Sequence, residues 1–82
     1  MKIKYFAWLK NFTNVDQEEI NDSSVKDIDT LKKILVKKYP NLKTHLIDQK
    51  IIRIAINLEY IRGNKKLYSD DVIALFPPVS GG

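Results

Sequence analysis

The chain opens on strict alternation. From Lys2 to Leu9, the side chains of Ile3, Tyr5, Ala7 and Leu9 fall on one face and those of Lys2, Lys4, Phe6 and Trp8 on the other, the period of a half-buried β-strand. Lys10 to Asn14 is a polar turn. Val15 to Ile20 then reads as a second, weaker strand of an antiparallel hairpin. Its Asp16, Glu18 and Glu19 are expected across from Lys2, Lys4 and Lys10, where each opposite-charge pair contributes about 0.2–1 kcal/mol. The period then changes. Ile28, Leu31, Leu35 and Tyr39, with Ile34 beside them, recur at 3 and 4, the spacing of a helix with one apolar stripe. Asp27 is placed to cap its start, Asp29 lies in the first turn, and Lys37 and Lys38 complement the C-terminal dipole. Pro40 ends it.

Asn41 to Lys50 reads as a connector. In Ile52 to Asn57 alternation returns, with Ile52, Ile54 and Ile56 inward and Arg53, Ala55 and Asn57 outward. Asn57 starts a turn, Tyr60 and Ile61 form a short strand, and Arg62-Gly63-Asn64 turns again. Leu67 is a lone apolar anchor in a polar stretch. Asp71 to Phe76 is the last strand, with Ile73 and Leu75 on one face and Val72, Ala74 and Phe76 on the other. Pro77-Pro78 ends it, because proline cannot donate to a ladder. Strand, strand, helix, strand, short strand, strand is an α+β pattern: a mixed sheet with one main helix packed on one face. The first strand can lie beside the last. Residues 1–76 are expected to form the domain and 77–82 an extended tail.

Composition narrows the chemistry. The chain has 82 residues and no cysteine, which allows one small domain with no disulfide and no thiolate nucleophile. The single histidine, His45, cannot build a multi-histidine metal site, and it reads as a surface or loop residue. There is no nucleophile elbow and no glycine-rich phosphate loop. No run of about 18 apolar residues is present, and the first residues lack the apolar stretch of a signal peptide, so a cytoplasmic location away from membranes is expected. The net charge of +4 raises the question of nucleic acid. However, Lys26, Lys32, Lys33, Lys37 and Lys38 lack interleaved aromatics and are interrupted by Asp27 and Asp29, so they read as a solvated helix face.

The segment Phe76-Pro77-Pro78-Val79-Ser80-Gly81-Gly82 is the most informative. From Val72 onward no side chain is charged. Pro-Pro favours an extended exit, and six residues beyond Phe76 reach about 20 Å at about 3.3–3.6 Å each. Gly-Gly at the tip is narrow. A cloning remnant or a frayed end accounts for none of this. Such a tail can enter another protein's active site and present its carboxylate there. A free carboxylate is a poor acyl donor, so a separate ATP-using enzyme has to activate it.

With these residues in view, the chain resembles the small subunit of molybdopterin synthase, a family of ubiquitin-like sulfur carriers. The resemblance spans the whole chain. It rests on Tyr5-Phe6-Ala7, on Asp27-Ile28-Asp29-Thr30-Leu31 at the helix start, on Ile56-Asn57 at the middle turn, and on Asp71 to Gly82 with its Phe-Pro-Pro-Val step. Asp70 stands where the family commonly has glycine. The resemblance implies a β-grasp fold. It also implies a relay in which Gly82 is adenylated by an enzyme related to ubiquitin-activating enzymes, converted to a thiocarboxylate by a sulfur donor protein, and delivered into the large synthase subunit. Sulfur then passes to a pterin precursor, forming the dithiolene of the molybdenum cofactor. Gly82 would carry the acyl group and Gly81 would fit the narrow entrance, with Pro77, Pro78, Val79 and Ser80 completing the tail. The chain would bind no cofactor of its own, ATP being used by the activating enzyme. It would be the non-catalytic subunit of a heteromer whose catalytic side chains lie on the large subunit. Two alternatives share the tail chemistry: the sulfur carrier of thiazole biosynthesis and a ubiquitin-like modifier conjugated through Gly82. A basic binding module without covalent chemistry is a third.

Parity also predicts a docking face. Phe6, Trp8, Ala55, Tyr60, Ala74 and Phe76 are expected on the side of the sheet that no helix covers, where large aromatics mark a partner site. The competing expectation is that a loop such as Asn41 to Lys50 folds over them. The resemblance separately implies partner contacts at Phe6, Tyr60 and Phe76.

Overall fold

The computed structural model describes residues 1–78. Five strands, β1 (Lys2–Tyr5), β2 (Gln17–Glu19), β3 (Arg53–Ile56), β4 (Glu59–Ile61) and β5 (Val72–Phe76), form one sheet in the order β2-β1-β5-β3-β4. The first and last strands lie side by side and parallel, and the other pairs are antiparallel. The helix α2 (Ile28–Lys38) lies across one face. This is the β-grasp arrangement.

The apolar stripe explains the packing. Ile28, Leu31 and Leu35 on the helix meet Ile3, Ile73 and Leu75 on β1 and β5, and all six are at most 1% exposed. Each such side chain contributes about 1.5–3 kcal/mol by leaving water, and together they hold the central strands under the helix. The helix start is fixed by a capping box: Thr30 N donates to Asp27 Oδ1 at 2.9 Å, and the Asp27 N–H donates to Thr30 Oγ1 at 3.0 Å. Asn64 ties the Lys65–Leu67 segment to that cap, accepting from Asp29 N and donating to Asp27 Oδ2. Leu67 is buried as an anchor.

The edge strand β2 is held through Glu18. Glu18 stands opposite Ile3, on the helix side of the sheet, and accepts 2.6 Å hydrogen bonds from Tyr5 Oη and Tyr39 Oη while pairing with Lys38. Burial alone would raise its carboxyl pKa. The three donors outweigh that and hold it below the ordinary value. Burial and the same carboxylate push the Tyr5 hydroxyl pKa far upward.

Four expectations are corrected. The first strand ends at Tyr5, not Leu9. Phe6 is still extended, but Ala7 takes a left-handed φ of 56°, and the chain winds into a 3-10 turn (Ala7–Leu9) and the short helix α1 (Lys10–Thr13). The polar turn between β1 and β2 is therefore helical, and Leu9 is buried by that route instead of by alternation. Second, Lys4 faces Gln17 across the strands, while Lys2 does face Glu19 and Lys10 pairs with Asp16 at 3.7 Å. Third, the connector is structured, with a 3-10 turn (Pro40–Leu42) and a single π turn (Thr44–Asp48) that bury Leu42 and Leu46. Fourth, Ala55 is only 7% exposed although it lies on the outer face.

Candidate docking surface at the root of the tail

Three strands bring the aromatic residues together. Phe76 closes β5, directly before Pro77. Phe6 keeps the parity of β1 for one residue beyond its end, because its N–H donates to Leu75 O at 3.0 Å before Ala7 turns the chain away. Tyr60 lies at the middle of β4, opposite Ala55. The rings of Phe6 and Phe76 meet edge-to-face at 6.4 Å, and those of Tyr60 and Phe76 at 5.3 Å. Such geometry stabilises aromatic pairs beyond their burial.

The floor of the cluster is small. Ala55 stands opposite Ala74 on β5 as well as opposite Tyr60. Two methyl groups flanked by three rings make a shallow dish, with Ala55 buried in its floor. Phe6 is 46% and Tyr60 74% exposed, so the dish faces solvent. Lys4 beside Ala74 and Arg53 beside Phe76 in register give it a cationic rim. Among the described residues no group of three acidic or histidine side chains converges as metal ligands would. Exposed rings around a small apolar floor suit recognition of a partner surface.

Trp8 is not part of this dish. The turn at Ala7 carries it to a second cluster, where its ring meets Phe12 at 5.9 Å and His45 at 5.0 Å. His45 also lies 5.4 Å from Phe12, and its Nδ1 is buried with no hydrogen-bond partner. The histidine, read as a surface or loop residue, lies half-buried in the connector, and through it the 41–50 segment packs against one predicted docking residue. Sequence reading missed this cluster. Its signal was the i, i+4 spacing of Trp8 and Phe12, which competes with strand alternation over the same residues. Of the tail, Pro77 and Pro78 leave β5 in a non-strand conformation; Val79, Ser80, Gly81 and Gly82 lie outside the described residues.

Comparison with known proteins adds to this geometry. Residues 3–82 match the ThiS family. The crystal structure of SAMP1 from Haloferax volcanii is similar with a TM-score of 0.81 and 26% identity, over 99% of this chain and 97% of that one. A putative molybdopterin converting factor, subunit 1, from Pyrococcus furiosus is 29% identical with a TM-score of 0.80, over 95% of both chains. The solution structure of small archaeal modifier protein 1 from Methanosarcina acetivorans is 29% identical with a TM-score of 0.80, over 99% of this chain and 94% of that one.

Proposed function

The chain belongs to the ThiS family of ubiquitin-like sulfur carriers, and from that premise we propose that it is the sulfur-donating subunit of a molybdopterin synthase. The observation that carries this reading is the aromatic dish at the root of the tail. Phe6, Tyr60 and Phe76 give a partner a fixed hold on the last strand, and Pro77-Pro78 sets the direction in which the chain continues from it. The match to a molybdopterin converting factor subunit at 29% identity over 95% of both chains supports the same reading.

In this role a Gly82 carboxylate oxygen attacks the α-phosphorus of ATP on an adenylating enzyme, and pyrophosphate leaves. A donor protein supplies sulfur at the sulfide level, which displaces AMP and leaves a thiocarboxylate. The loaded tail enters the large synthase subunit, where the sulfur passes to the pterin precursor and water restores the carboxylate. This chain's own part is to dock, to aim the tail and to carry the acyl group. Gly81 keeps the approach narrow, since a glycine has no side chain to obstruct a channel.

A second reading, a protein modifier joined to lysines through Gly82, is favoured by the likeness to two SAMP1 structures. Both readings need Gly82, as does a thiazole-pathway carrier, and the Phe76-Pro77-Pro78 step favours the molybdopterin branch over the thiazole one. Intact-mass analysis of protein from its native host separates carrier from modifier: a mass gain of about 16 Da, sulfur for oxygen, marks a thiocarboxylate, and a far larger gain marks a conjugate. Deleting Gly82 should abolish sulfur transfer in a reconstituted synthase assay and leave the thermal midpoint unchanged. Full activity of the deletion variant would reject the carrier mechanism.

A further inference from the structure

The sheet has an open end opposite the Asn57-Leu58 turn. There β3 begins, β4 ends and β5 runs out at Phe76. Beyond the paired residues, Lys50–Ile52 and Arg62–Asn64 border a groove of about 1200 Å³ whose lining includes Ile52 and Ile54. It ends at Phe76 and Pro78, so it is continuous with the aromatic dish.

The charge along this groove is one-sided. Lys32, Lys50, Arg53 and Arg62 line it against a single carboxylate, Asp29. These five groups sum to +3, in a chain whose net charge is +4. None of these four cations takes part in an ion pair among the described residues. The ends of the strands sharpen the point. Ile54 facing Ile61 is the last pair of β3 with β4, and the next residue on each side is an arginine, Arg53 on β3 and Arg62 just beyond β4. Both line the groove. Like charges brought together at a strand pair destabilise it, and folding gains nothing from placing them there. An anion between them reverses the sign. The planar guanidinium fork is suited to carboxylates, which it binds through two parallel hydrogen bonds.

The shape and lining of the groove select the class of occupant. Small-ligand pockets enclose their ligand. This groove is open to solvent, and its lining joins cationic side chains to apolar ones. We propose that it receives an acidic segment of the protein that docks on the aromatic dish, with a carboxylate of that partner held between Arg53 and Arg62. The inference rests on the docking reading above and deepens it. The partner common to the sulfur-carrier and modifier readings is the adenylating enzyme, so that enzyme is the one to test.

The test uses the full chain and the adenylating enzyme of the same organism. Titration calorimetry is run in about 0.1 M and about 1 M salt, where the Debye length falls from about 10 to about 3 Å. The double variant Arg53→Gln/Arg62→Gln should bind about ten-fold or more weakly at the lower salt, and the difference from the parent should shrink to within about two-fold at the higher salt. Its thermal midpoint should be equal to or above that of the parent, because a repulsive pair has been removed. The variant Lys26→Gln/Lys37→Gln makes the same change in net charge on α2 and its approach, and should bind as the parent does. Unchanged affinity of the arginine variant at the lower salt overturns the proposal. So does an equal loss in the lysine variant, or a lowered midpoint that shows a structural role. If Phe76→Ala weakens binding while the arginine variant does not, only the groove assignment fails. If neither weakens it, the adenylating enzyme does not dock on the dish, and the groove assignment fails with it.

Discussion

Leu58 extends its side chain into solvent, 99% exposed, from a left-handed backbone with φ 71°. With Asn57 at φ 50° it makes the two-residue turn between β3 and β4, a turn type that requires positive φ at both positions. Asn57 suits the position: its side chain accepts from Val72 N and donates to Asp71 Oδ1, both at 2.9 Å, and asparagine tolerates this region better than most residues. Leu58 has no such compensation. A left-handed conformation costs a branched L-residue about 1–2 kcal/mol, and glycine's larger unfolded-state entropy offsets about 0.4–1 of that when leucine is replaced. Leu58→Gly should therefore stabilise the domain by about 0.5–1 kcal/mol and raise the thermal midpoint by several degrees, read by a calorimetric or circular-dichroism melt. A fall in the midpoint would show that the leucine side chain contributes to the fold despite its exposure. The asparagine was legible as a turn residue in the sequence. The leucine was not, because nothing in its chemistry announces a left-handed backbone; the register of β3 against β4 imposes it.

At the scale of elements, the junction of β1, β2 and α2 is held by polar contacts. Glu18 lies at the edge of the sheet where apolar cover ends, and the donors from Tyr5, Tyr39 and Lys38 close that corner. Losing a charged acceptor with partners in place costs about 1–3 kcal/mol, so Glu18→Gln should lower stability by about that amount near neutral pH. The pH dependence has a definite sign. The folded-state pKa of Glu18 lies below its ordinary value of 4.5. Its contribution is therefore fully present above pH 4.5 and is lost as the pH falls through the folded-state value. For Tyr5, whose pKa is raised above the ordinary 10.0, the contribution is complete below pH 10 and declines above it. Urea melts across pH should show Glu18→Gln flattening the acid limb and Tyr5→Phe the alkaline limb. An acid limb unchanged by Glu18→Gln would remove this carboxylate from the account. The sequence placed Glu18 on a strand but assigned it to pairing with lysines of β1. Tyr39 and Lys38 reach it from the end of the helix, a contact between residues about twenty positions apart that no local pattern records.

For the whole molecule, the two faces of the sheet divide the work. The helix covers one, and the other carries the dish beside the tail root. Burying a ring such as Phe76 contributes about 1.5–3 kcal/mol, the scale of an interface hot spot. Phe76→Ala should weaken binding to the large synthase subunit by about ten-fold or more, with Phe6→Ala and Tyr60→Ala acting in the same direction. Trp8→Ala should change that affinity little, since its ring packs with Phe12 and His45 away from Phe76. Lys33→Glu on the helix face should also have little effect. Calorimetric titration decides among these: equal affinities for the Phe6 and Phe76 variants and the parent would place the interface elsewhere.

The sequence by itself determined the period of the helix and of the later strands, the capped helix from Asp27, the inward set Ile3, Ile54, Ile73 and Leu75, and the Phe-Pro-Pro step that carries the family resemblance. These are local properties: alternation, 3-and-4 spacing, a cap and a stop act within a few residues of one another. The tertiary structure decided the rest. From Phe6 to Thr13 strand alternation and helical spacing both fit, and the competition is settled by Ala7 turning the chain so that Leu9 reaches the core while Trp8 meets His45. Arg53 and Arg62 likewise come to line one groove only once β3 and β4 are paired. Which side chains gather at a surface depends on contacts between distant segments, and their geometry follows from packing the whole chain rather than from the order of residues within any one element.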